Sequence, residues 1–163
     1  MPCDKLLEFL QENDVNYELI EHAGAYTAQE VADKAHVSGK QFAKTVMVKL
    51  DGKMAMAVLP AADKINLTLL QQAAGASSIA LASEPEFIQL FPDCELGAMP
   101  PFGNLYGMAV YVAGSLGEAQ EIAFNAGSHG ELIRMSYADF ERLVQPQVAR
   151  FSFRRLKDMR DPE

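Results

Sequence analysis

The residues best suited to chemistry in this chain form the run Ala126-Gly127-Ser128-His129, in which a small-residue turn delivers a histidine. The residues before it, Ile122-Ala123-Phe124, have the apolar character of a buried strand. Loops that leave strand ends are where a rigid scaffold presents reactive groups. Two further motifs of this kind are a lysine within the apolar run Phe42-Ala43-Lys44-Thr45-Val46 and a glycine-proline loop from Gly97 to Gly103. Together the three motifs indicate a functional site.

Ser128 and His129 invite comparison with a nucleophile and its base. Adjacent side chains in an extended segment point to opposite faces, however, which argues against a direct dyad. The favoured interpretation is that backbone amides of the turn act as oxyanion donors while His129 orients a water through its main chain or its ring. A lone histidine in a turn is more often structural, so catalysis by the imidazole itself is the less favoured alternative.

Length and composition are those of one globular domain. The chain has 163 residues, of which 49% are hydrophobic and 22% are charged, a balance typical of a soluble protein with a sizeable core. No stretch approaches the roughly 20 consecutive apolar residues that span a bilayer, and the first residues lack the apolar core of a signal peptide. Cys3 and Cys94 are too few for a disulfide framework and lack the spacing of metal ligands. We therefore expect a cytoplasmic protein with reduced thiols.

The charge argues against sequence-independent binding of nucleic acid. Such binding needs many lysines and arginines to displace phosphate counterions, whereas the net charge here is −8. The charge is uneven, because residues 31–66 contain six lysines against three aspartates. Either these lysines form a small basic face on an acidic body, or they are the solvated edge of a helix and a hairpin, which is the more ordinary outcome.

Capping patterns and periodicity predict several short elements. Helices are predicted to begin at Asp4, at the capping box Thr27-Ala28-Gln29-Glu30, at Asn66, at the capping box Ser83-Glu84-Pro85-Glu86 and at Ser136. Strands are predicted at 17–20, 45–50, 54–59, 108–112, 122–125 and 132–135. Asp51-Gly52 is a strong hairpin signal, and Lys44 would lie at the start of the first hairpin strand. The helix after Ser83 is expected to bury Phe87, Leu90 and Phe91.

These elements predict one compact α/β domain, in which short helices surround a mixed, mostly antiparallel and barrel-like sheet. The domain is predicted to span residues 1–146, closed by Pro146. Residues 147–163 are predicted to be a tail whose order the sequence leaves open. The tail carries a basic cluster, Arg150, Arg154, Arg155, Lys157 and Arg160.

The three motifs also carry a resemblance to a known family. In order and approximate spacing, Ala43-Lys44-Thr45-Val46, the Gly97 to Gly103 loop and Asn125-Ala126-Gly127-Ser128-His129 resemble the YbaK/ProX family, which includes a domain inserted in many bacterial prolyl-tRNA synthetases. The resemblance covers about Tyr17 to Val144. Members of that family hydrolyse the ester of a mischarged aminoacyl-tRNA that carries a small amino acid. The resemblance therefore implies a trans-editing aminoacyl-tRNA deacylase of YbaK/ProX-like α/β fold, without a metal or an organic cofactor.

The resemblance also implies roles for individual residues and for partners. Four residues would be catalytic: Lys44, Gly127, Ser128 and His129. Seven residues would bind substrate: His22, Thr45, Gly97, Pro101, Phe102, Gly103 and Asn125. The implied partner is the acceptor end of a mischarged tRNA. An aminoacyl-tRNA synthetase is a further implied partner, because it would supply the RNA affinity that the acidic body lacks.

The residue chemistry is compatible with these roles. An aminoacyl ester is already activated, so its hydrolysis needs a positioned water and donors for the developing oxyanion rather than a covalent nucleophile. A lysine supplies a compact cation, and glycines and prolines let a stiff loop approach closely. Such an enzyme is needed because a synthetase pocket rejects a smaller amino acid by only about 1–3 kcal/mol per missing methylene, and a second hydrolytic sieve removes the remainder.

Each of these interpretations has an ordinary structural alternative. Lys44 could be an edge lysine that only snorkels to solvent, and the Gly97 loop could be a plain tight connection. His22 could cap a turn, and Cys94 is favoured as a small buried residue because no histidine or lysine adjoins it. The methionines at 47, 54, 56 and 99 either line an apolar pocket or, more commonly, fill the core. The alternative function is a non-catalytic binding or regulatory module of the same fold that holds a nucleotide, a tRNA end or a protein partner.

Overall fold

The computed structural model describes residues 4–21, 41–95, 97–128 and 130–154. Its α-helices are α1 (Asp4–Glu12), α2 (Leu67–Ala74), α3 (Glu84–Phe87) and α4 (Tyr137–Val144). Its strands are β1 (Tyr17–Glu21), β2 (Ala43–Leu50), β3 (Lys53–Pro60), β4 (Asp63–Ile65), β5 (Ile79–Leu81), β6 (Ala109–Ala113), β7 (Glu121–Ser128), β8 (Glu131–Ser136), β9 (Gln147–Ala149) and β10 (Ser152–Arg154). The predicted capping box at Thr27 lies outside the described residues.

The strands form two sheets and a two-stranded ribbon. The larger sheet has the order β5-β2-β3-β6-β9, the smaller has the order β1-β8-β7, and the ribbon pairs β10 with β4. Pairing is antiparallel except for β3 with β6 and β6 with β9, which are parallel. The predicted mixed, mostly antiparallel α/β fold is confirmed. Within the described residues the sheets stay open and do not close into a barrel.

One contact joins the two sheets, and it lies at the start of β2. Phe42 forms an isolated parallel bridge with Ala123 of β7. The Ala123 N–H donates to the Gln41 carbonyl oxygen at 3.0 Å, and the Ala61 N–H donates to the Phe42 carbonyl oxygen at 2.7 Å. The first residues of β2 are therefore held between β3 on one side and β7 on the other.

The larger sheet separates two apolar clusters. On one side lies the large core, which includes Ala43 and Met47 of β2 together with Phe102, Phe124 and Phe140. On the other side lies the small core, which includes Val48 and Leu50 of β2, Leu70 of α2 and Phe151, with Val46 and Ile65 packed against it. Residues of β2 alternate between the two cores because successive side chains on a strand point to opposite faces.

Local sequence patterns account for most element boundaries. The hairpin between β2 and β3 turns at Asp51 and Gly52, which have φ angles of 52° and 82°, as a tight two-residue turn requires. Ser83 and Glu86 form the predicted capping box at α3. Ser136 caps α4 by accepting from the Asp139 N–H at 3.1 Å, and Lys44 is the second residue of β2. These predictions are confirmed.

One prediction about burial is wrong. Leu90, expected to be buried beside Phe87 and Phe91, is 42% exposed, because the short 3-10 helix Ile88–Leu90 turns it outward. Residues 147–154, whose order the sequence leaves open, form β9 and β10 and add to the larger sheet and the ribbon. Phe151, between those strands, is fully buried in the small core.

The cap of α2 allows a test of whether local hydrogen bonds stabilise the ends of the helices. The Asn66 side chain accepts a hydrogen bond from the Leu69 N–H at 2.9 Å, satisfying an amide that the helix itself leaves without a partner. Asn66→Ala is expected to lower the free energy of unfolding by about 1 kcal/mol in urea denaturation. Asn104→Ala, at an exposed position of a 3-10 helix, is the matched control and should change stability by less than about 0.5 kcal/mol. Equal stability of the two variants would contradict the capping role.

Candidate functional site

Lys44 and Asn125 lie on neighbouring strands and share a face. Phe42 and Ala123 form the bridge between β2 and β7, and residues paired in a bridge point to the same side. Lys44 is two residues after Phe42, and Asn125 is two residues after Ala123. Because strand side chains repeat every second residue, Lys44 and Asn125 both point to the side of the bridge. The two strands make no further bridge beyond it within the described residues; we call the face between their unpaired continuations, which carries Lys44 and Asn125, the notch.

Gly127 ties the end of β7 to the glycine-proline loop. Its N–H donates to the Ala98 carbonyl oxygen at 3.0 Å, and its carbonyl oxygen accepts from the Glu95 N–H at 2.7 Å. The pairing of β7 with β8 shifts register between Asn125 and Ser128, and Gly127 has a φ of 101°, which a side-chain-bearing residue adopts only with strain. Two of the three sequence motifs therefore meet directly, beside the strand that carries Lys44.

The same hydrogen bond corrects one interpretation made from the sequence. The turn amides were favoured as oxyanion donors, but the Gly127 N–H is already occupied by Ala98. An amide can donate one good hydrogen bond, so this one is not available to a substrate. The Gly127 N–H and carbonyl groups together tie the end of β7 to the loop.

Asn125 offers a buried acceptor to the notch. Its side-chain Oδ1 is inaccessible to solvent and has no hydrogen-bond partner among the described residues. A buried amide oxygen without a partner costs free energy comparable to a lost hydrogen bond. Such a group is expected where a ligand supplies the missing donor.

Ser128 is buried, and its hydroxyl is already engaged. Its Oγ donates to Glu131 Oε1 at 3.0 Å, across the tight turn from β7 to β8. The sequence argument against a Ser128–His129 dyad is compatible with this contact, because the hydroxyl proton is directed to a carboxylate. His129 and His22 lie outside the described residues.

The loop from Gly97 to Gly103 divides into an exposed half and a buried half. Gly97 is exposed and has a φ of 83°. Pro101 is buried, and Phe102 is fully buried among the rings of Phe9, Phe124 and Phe140. Three of the residues assigned to substrate binding, Pro101, Phe102 and Gly103, therefore belong to the core that supports the loop. The exposed end at Gly97 is the part that a substrate could reach.

Gly103 shows why the buried half of the loop needs a small residue. A Cβ added there would lie 2.7 Å from Val110 Cγ2 and 3.1 Å from the Met108 carbonyl oxygen, distances shorter than normal packing contacts. The glycine thus permits close packing of the loop against β6. Its role is structural.

Thr45 follows Lys44 but faces the other side of the sheet. It pairs with Val58 of β3, which belongs to the large core, as do Ala43 and Met47 on the same face of β2. Its side chain therefore points away from the Lys44 face. The side chains of Lys44 and Thr45 are not placed to contact the same substrate group.

The surroundings of Lys44 act on its charge in opposite directions. Lys44 is half-buried. Burial lowers the pKa of Lys44 because it disfavours the charged form, the carboxylate of Asp63 raises it, and the ammonium of Lys64 lowers it further; the net effect is a lowered pKa. Burial would not lower the pKa of a fully solvated edge lysine. The surroundings of Lys44 therefore differ from those of a lysine that only extends into solvent.

Asp63 was missed by the sequence argument, which counted it only in the charge balance of residues 31–66. It is 4% exposed, and Ser152 Oγ donates to its Oδ2 at 2.9 Å. Its only sequence signal is its place between apolar residues, after Ala61-Ala62 and before Ile65. Its partners lie about 50 to 90 residues away along the chain, too far for a local pattern to predict.

The remaining candidates have ordinary surroundings. Cys94 is half-buried, with its sulfur 3.8 Å from the Tyr106 hydroxyl. Met47, Met56 and Met99 are buried in the large core, which favours core filling over a pocket lining. The described lysines of this segment have different surroundings: Lys49 pairs with Glu86 of α3, and Lys53 is exposed at the far end of the hairpin. Lys34 and Lys40 lie outside the described residues.

Two general features of the described residues bear on function. No group of three or more histidine, cysteine or acidic side chains within them is arranged to hold a metal ion. None of the helices in this part of the chain is long and apolar enough to span a membrane.

Comparison with known proteins finds relatives that cover most of this chain. The chain is 27% identical over 152 residues, 90% of each protein, to the Escherichia coli K12 protein named multifunctional Ser/Thr-tRNA deacylase ProXp-y. It is 29% identical over 143 residues, 83% of this chain and 86% of the relative, to prolyl-tRNA editing protein ProX of Acetoanaerobium sticklandii. The crystal structure of hypothetical protein APE2540 has the same fold, with a TM-score of 0.83 over 92% of this chain and all of that one at 20% identity. Residues 22–143 match the aminoacyl-tRNA editing domain, and the chain belongs to that family.

Proposed function

We propose that this protein is a trans-editing deacylase that hydrolyses the ester of a mischarged aminoacyl-tRNA carrying a small amino acid. The observation that carries the proposal is the meeting of three separate motifs at one notch. Gly127 is bonded to the 95–98 segment at 2.7 Å and 3.0 Å, and β7, which bears Asn125 and Gly127, is bridged to the start of β2 beside Lys44. The family and the relatives described above support the same assignment.

The chemistry proposed for the notch uses Lys44 and Asn125 directly. A water adds to the ester carbonyl carbon, and the negative charge that develops on the carbonyl oxygen is stabilised by the Lys44 ammonium, which the fold holds half-buried. The bond from the carbonyl carbon to the ribose oxygen then breaks, and the ribose oxygen takes up a proton. The products are the free amino acid and intact tRNA.

Asn125 is proposed to recognise the amino acid. Its buried Oδ1 lacks a partner among the described residues, and the α-ammonium group of an aminoacyl ester is a donor that could satisfy it. An uncharged tRNA end has no ammonium group, and its ribose hydroxyls are uncharged and therefore weaker donors. This contact therefore favours aminoacylated tRNA over free tRNA.

The supporting residues have different roles in the proposal. Gly97 and Gly127 shape the wall of the notch, Ser128 orders the turn through Glu131, and the buried half of the loop, Pro101, Phe102 and Gly103, fixes its position. His22 and His129 keep the roles that the family resemblance implies, and Thr45, which faces the large core, supports β2 beneath Lys44. Among the described residues between 65 and 149, only Arg134 and Arg142 are basic, so a synthetase partner in the cytoplasm is proposed to supply further affinity for the tRNA.

A deacylation screen tests this function. Purified protein is incubated with tRNAs mischarged with alanine, serine or threonine, and released amino acid is followed against the spontaneous rate. Release from at least one of these tRNAs is expected, and the Lys44→Ala protein serves as the matched control. No turnover above the spontaneous rate across the panel, with binding that ignores the aminoacyl group, would favour a non-catalytic module instead.

A further inference from the structure

Asp63 is a charged side chain buried inside the fold. It is 4% exposed and is the one charged residue that the described part of the chain buries to that degree. Ionised carboxylates are almost never buried unless they are paired and hydrogen-bonded. The position of Asp63 therefore calls for a reason in the fold or in the site.

Three contacts from distant parts of the chain surround Asp63. Its Oδ2 accepts from Ser152 Oγ at 2.9 Å and from Ser115 Oγ at 3.4 Å. Its Oδ1 lies 3.5 Å from Arg154 Nε, a longer contact with a partly exposed side chain. Arg154 Nη2 also donates to Oδ1 at 3.5 Å, so side chains from two distant segments fix the carboxylate in place.

Asp63 of β4 and Lys44 of β2 each lie on the strand face that meets the small core. Ile65 of β4 and Val46 of β2 pack against the same small core. Asp63 is two residues before Ile65, and Lys44 is two residues before Val46, so each charged residue shares a face with its apolar neighbour. The Ala61 N–H bonded to the Phe42 carbonyl oxygen at 2.7 Å folds the chain back over the start of β2. The carboxylate and the ammonium are thereby brought to the same end of that layer.

We propose that Asp63 is a positioning residue for Lys44: its buried carboxylate, fixed by β10 and Ser115, attracts the Lys44 ammonium and holds it near the start of β2. The effect of Asp63 on catalysis rests on the proposed function, whereas its effect on Lys44 does not. It also gives the C-terminal strand a role in the site, because β10 supplies both Ser152 and Arg154.

The charges around Lys44 support this role. Burial and Lys64 both lower the pKa of Lys44, and Asp63 opposes them. The Arg154 guanidinium contacts the Asp63 carboxylate. Glu118, a second carboxylate, lines the same cleft as Asp63 and Arg154. Without the Asp63 charge, the two lowering effects would act unopposed, and Lys44 would lose its proton at a lower pH.

The test measures the protonation of Lys44 directly. Lysines of the intact protein are reductively methylated with ¹³C-formaldehyde, and the Lys44 signal, assigned by its absence in Lys44→Arg, is titrated by NMR. In Asp63→Asn, which keeps the shape and an acceptor oxygen, the Lys44 midpoint is expected to move to lower pH. Asp139→Asn is the matched control, since Asp139 also pairs with an arginine, at 3.1 Å, but on the surface of α4, and its midpoint should not move.

A second variant covers the case in which Asp63→Asn does not fold. Arg154 lies at the exposed end of β10, and its cation partly offsets the negative charge of Asp63. Arg154→Gln removes that cation. The Lys44 midpoint is then expected to move to higher pH, the opposite direction. An unchanged Lys44 midpoint in folded Asp63→Asn or in Arg154→Gln would overturn the proposal.

Activity measurements separate this inference from the proposed function. The alkaline limb of the kcat/KM profile is expected to move to lower pH in folded Asp63→Asn, with about tenfold less deacylation on that limb than in Asp139→Asn. If the NMR midpoint moves but the wild-type protein hydrolyses none of the tRNAs, the Asp63 role holds and the function fails. If the wild-type protein is active and the midpoint stays fixed, only the Asp63 role fails.

Discussion

Lys44→Ala is expected to lower kcat/KM for deacylation by about 100- to 1000-fold without unfolding the protein. Removing one preorganised group that stabilises a developing oxyanion costs about that much. The fold should survive because Lys44 is half-buried near the start of β2 and its charge is disfavoured there by burial. Single-turnover release of amino acid from mischarged tRNA gives the rate, and circular dichroism gives the melting temperature.

Two further lysine variants make this result specific. Lys44→Met keeps the apolar stem and removes the charge, so it should be as inactive as Lys44→Ala if the ammonium is what matters. Lys53→Ala, at the exposed far end of the same hairpin, should retain wild-type activity. Activity within about twofold of wild type in Lys44→Met would rule out a role for the charge.

Gly127→Ala is expected to have the second largest effect, a loss of about 100-fold in kcat/KM. A Cβ is strained at its φ of 101°, and relief of that strain would move the two hydrogen bonds that Gly127 makes to Ala98 and Glu95. A displacement of about 1 Å in a positioning element can lower a rate about 100-fold. The same kinetic assay measures this effect.

Gly52→Ala is the control matched for backbone strain. Gly52 has a φ of 82° at the tip of the β2–β3 hairpin, with open space around a built Cβ. Both glycine variants should lose about 1–3 kcal/mol of stability from strain, but only Gly127→Ala should lose activity. Equal losses of activity in the two variants would show that general destabilisation, and not the loop contact, limits the rate.

Local patterns in the sequence predicted much of the fold correctly. The capping residues Asn66, Ser83 and Ser136 and the Asp51-Gly52 turn were all readable because each acts on amides or dihedral angles within a few residues of itself. The order of the lysine, glycine-proline and glycine-histidine motifs indicated the family, which the match over residues 22–143 confirms.

Predictions that depended on burial were weaker. Leu90 has the same apolar character as Phe87 and Phe91, yet it is 42% exposed. Phe102 was assigned to substrate binding because it lies inside a motif, whereas three other aromatic rings enclose it. A motif shows which residue types occur together at a given spacing in the sequence. It does not show which of them face a ligand and which support it, because that depends on packing partners from other elements.

The sequence by itself determined the local elements, the overall α/β class and the residue types available for chemistry, since those depend on contacts between near neighbours. Only the tertiary structure decided that the Gly127 amide bonds to Ala98, that Asn125 Oδ1 has no partner among the described residues, and that residues 147–154 pair with the larger sheet and the ribbon. It alone placed Asp63 beside β10, about 90 residues away along the chain. Such contacts are made when strands distant in sequence pair and bury one another, and a linear pattern carries no record of which strands those are.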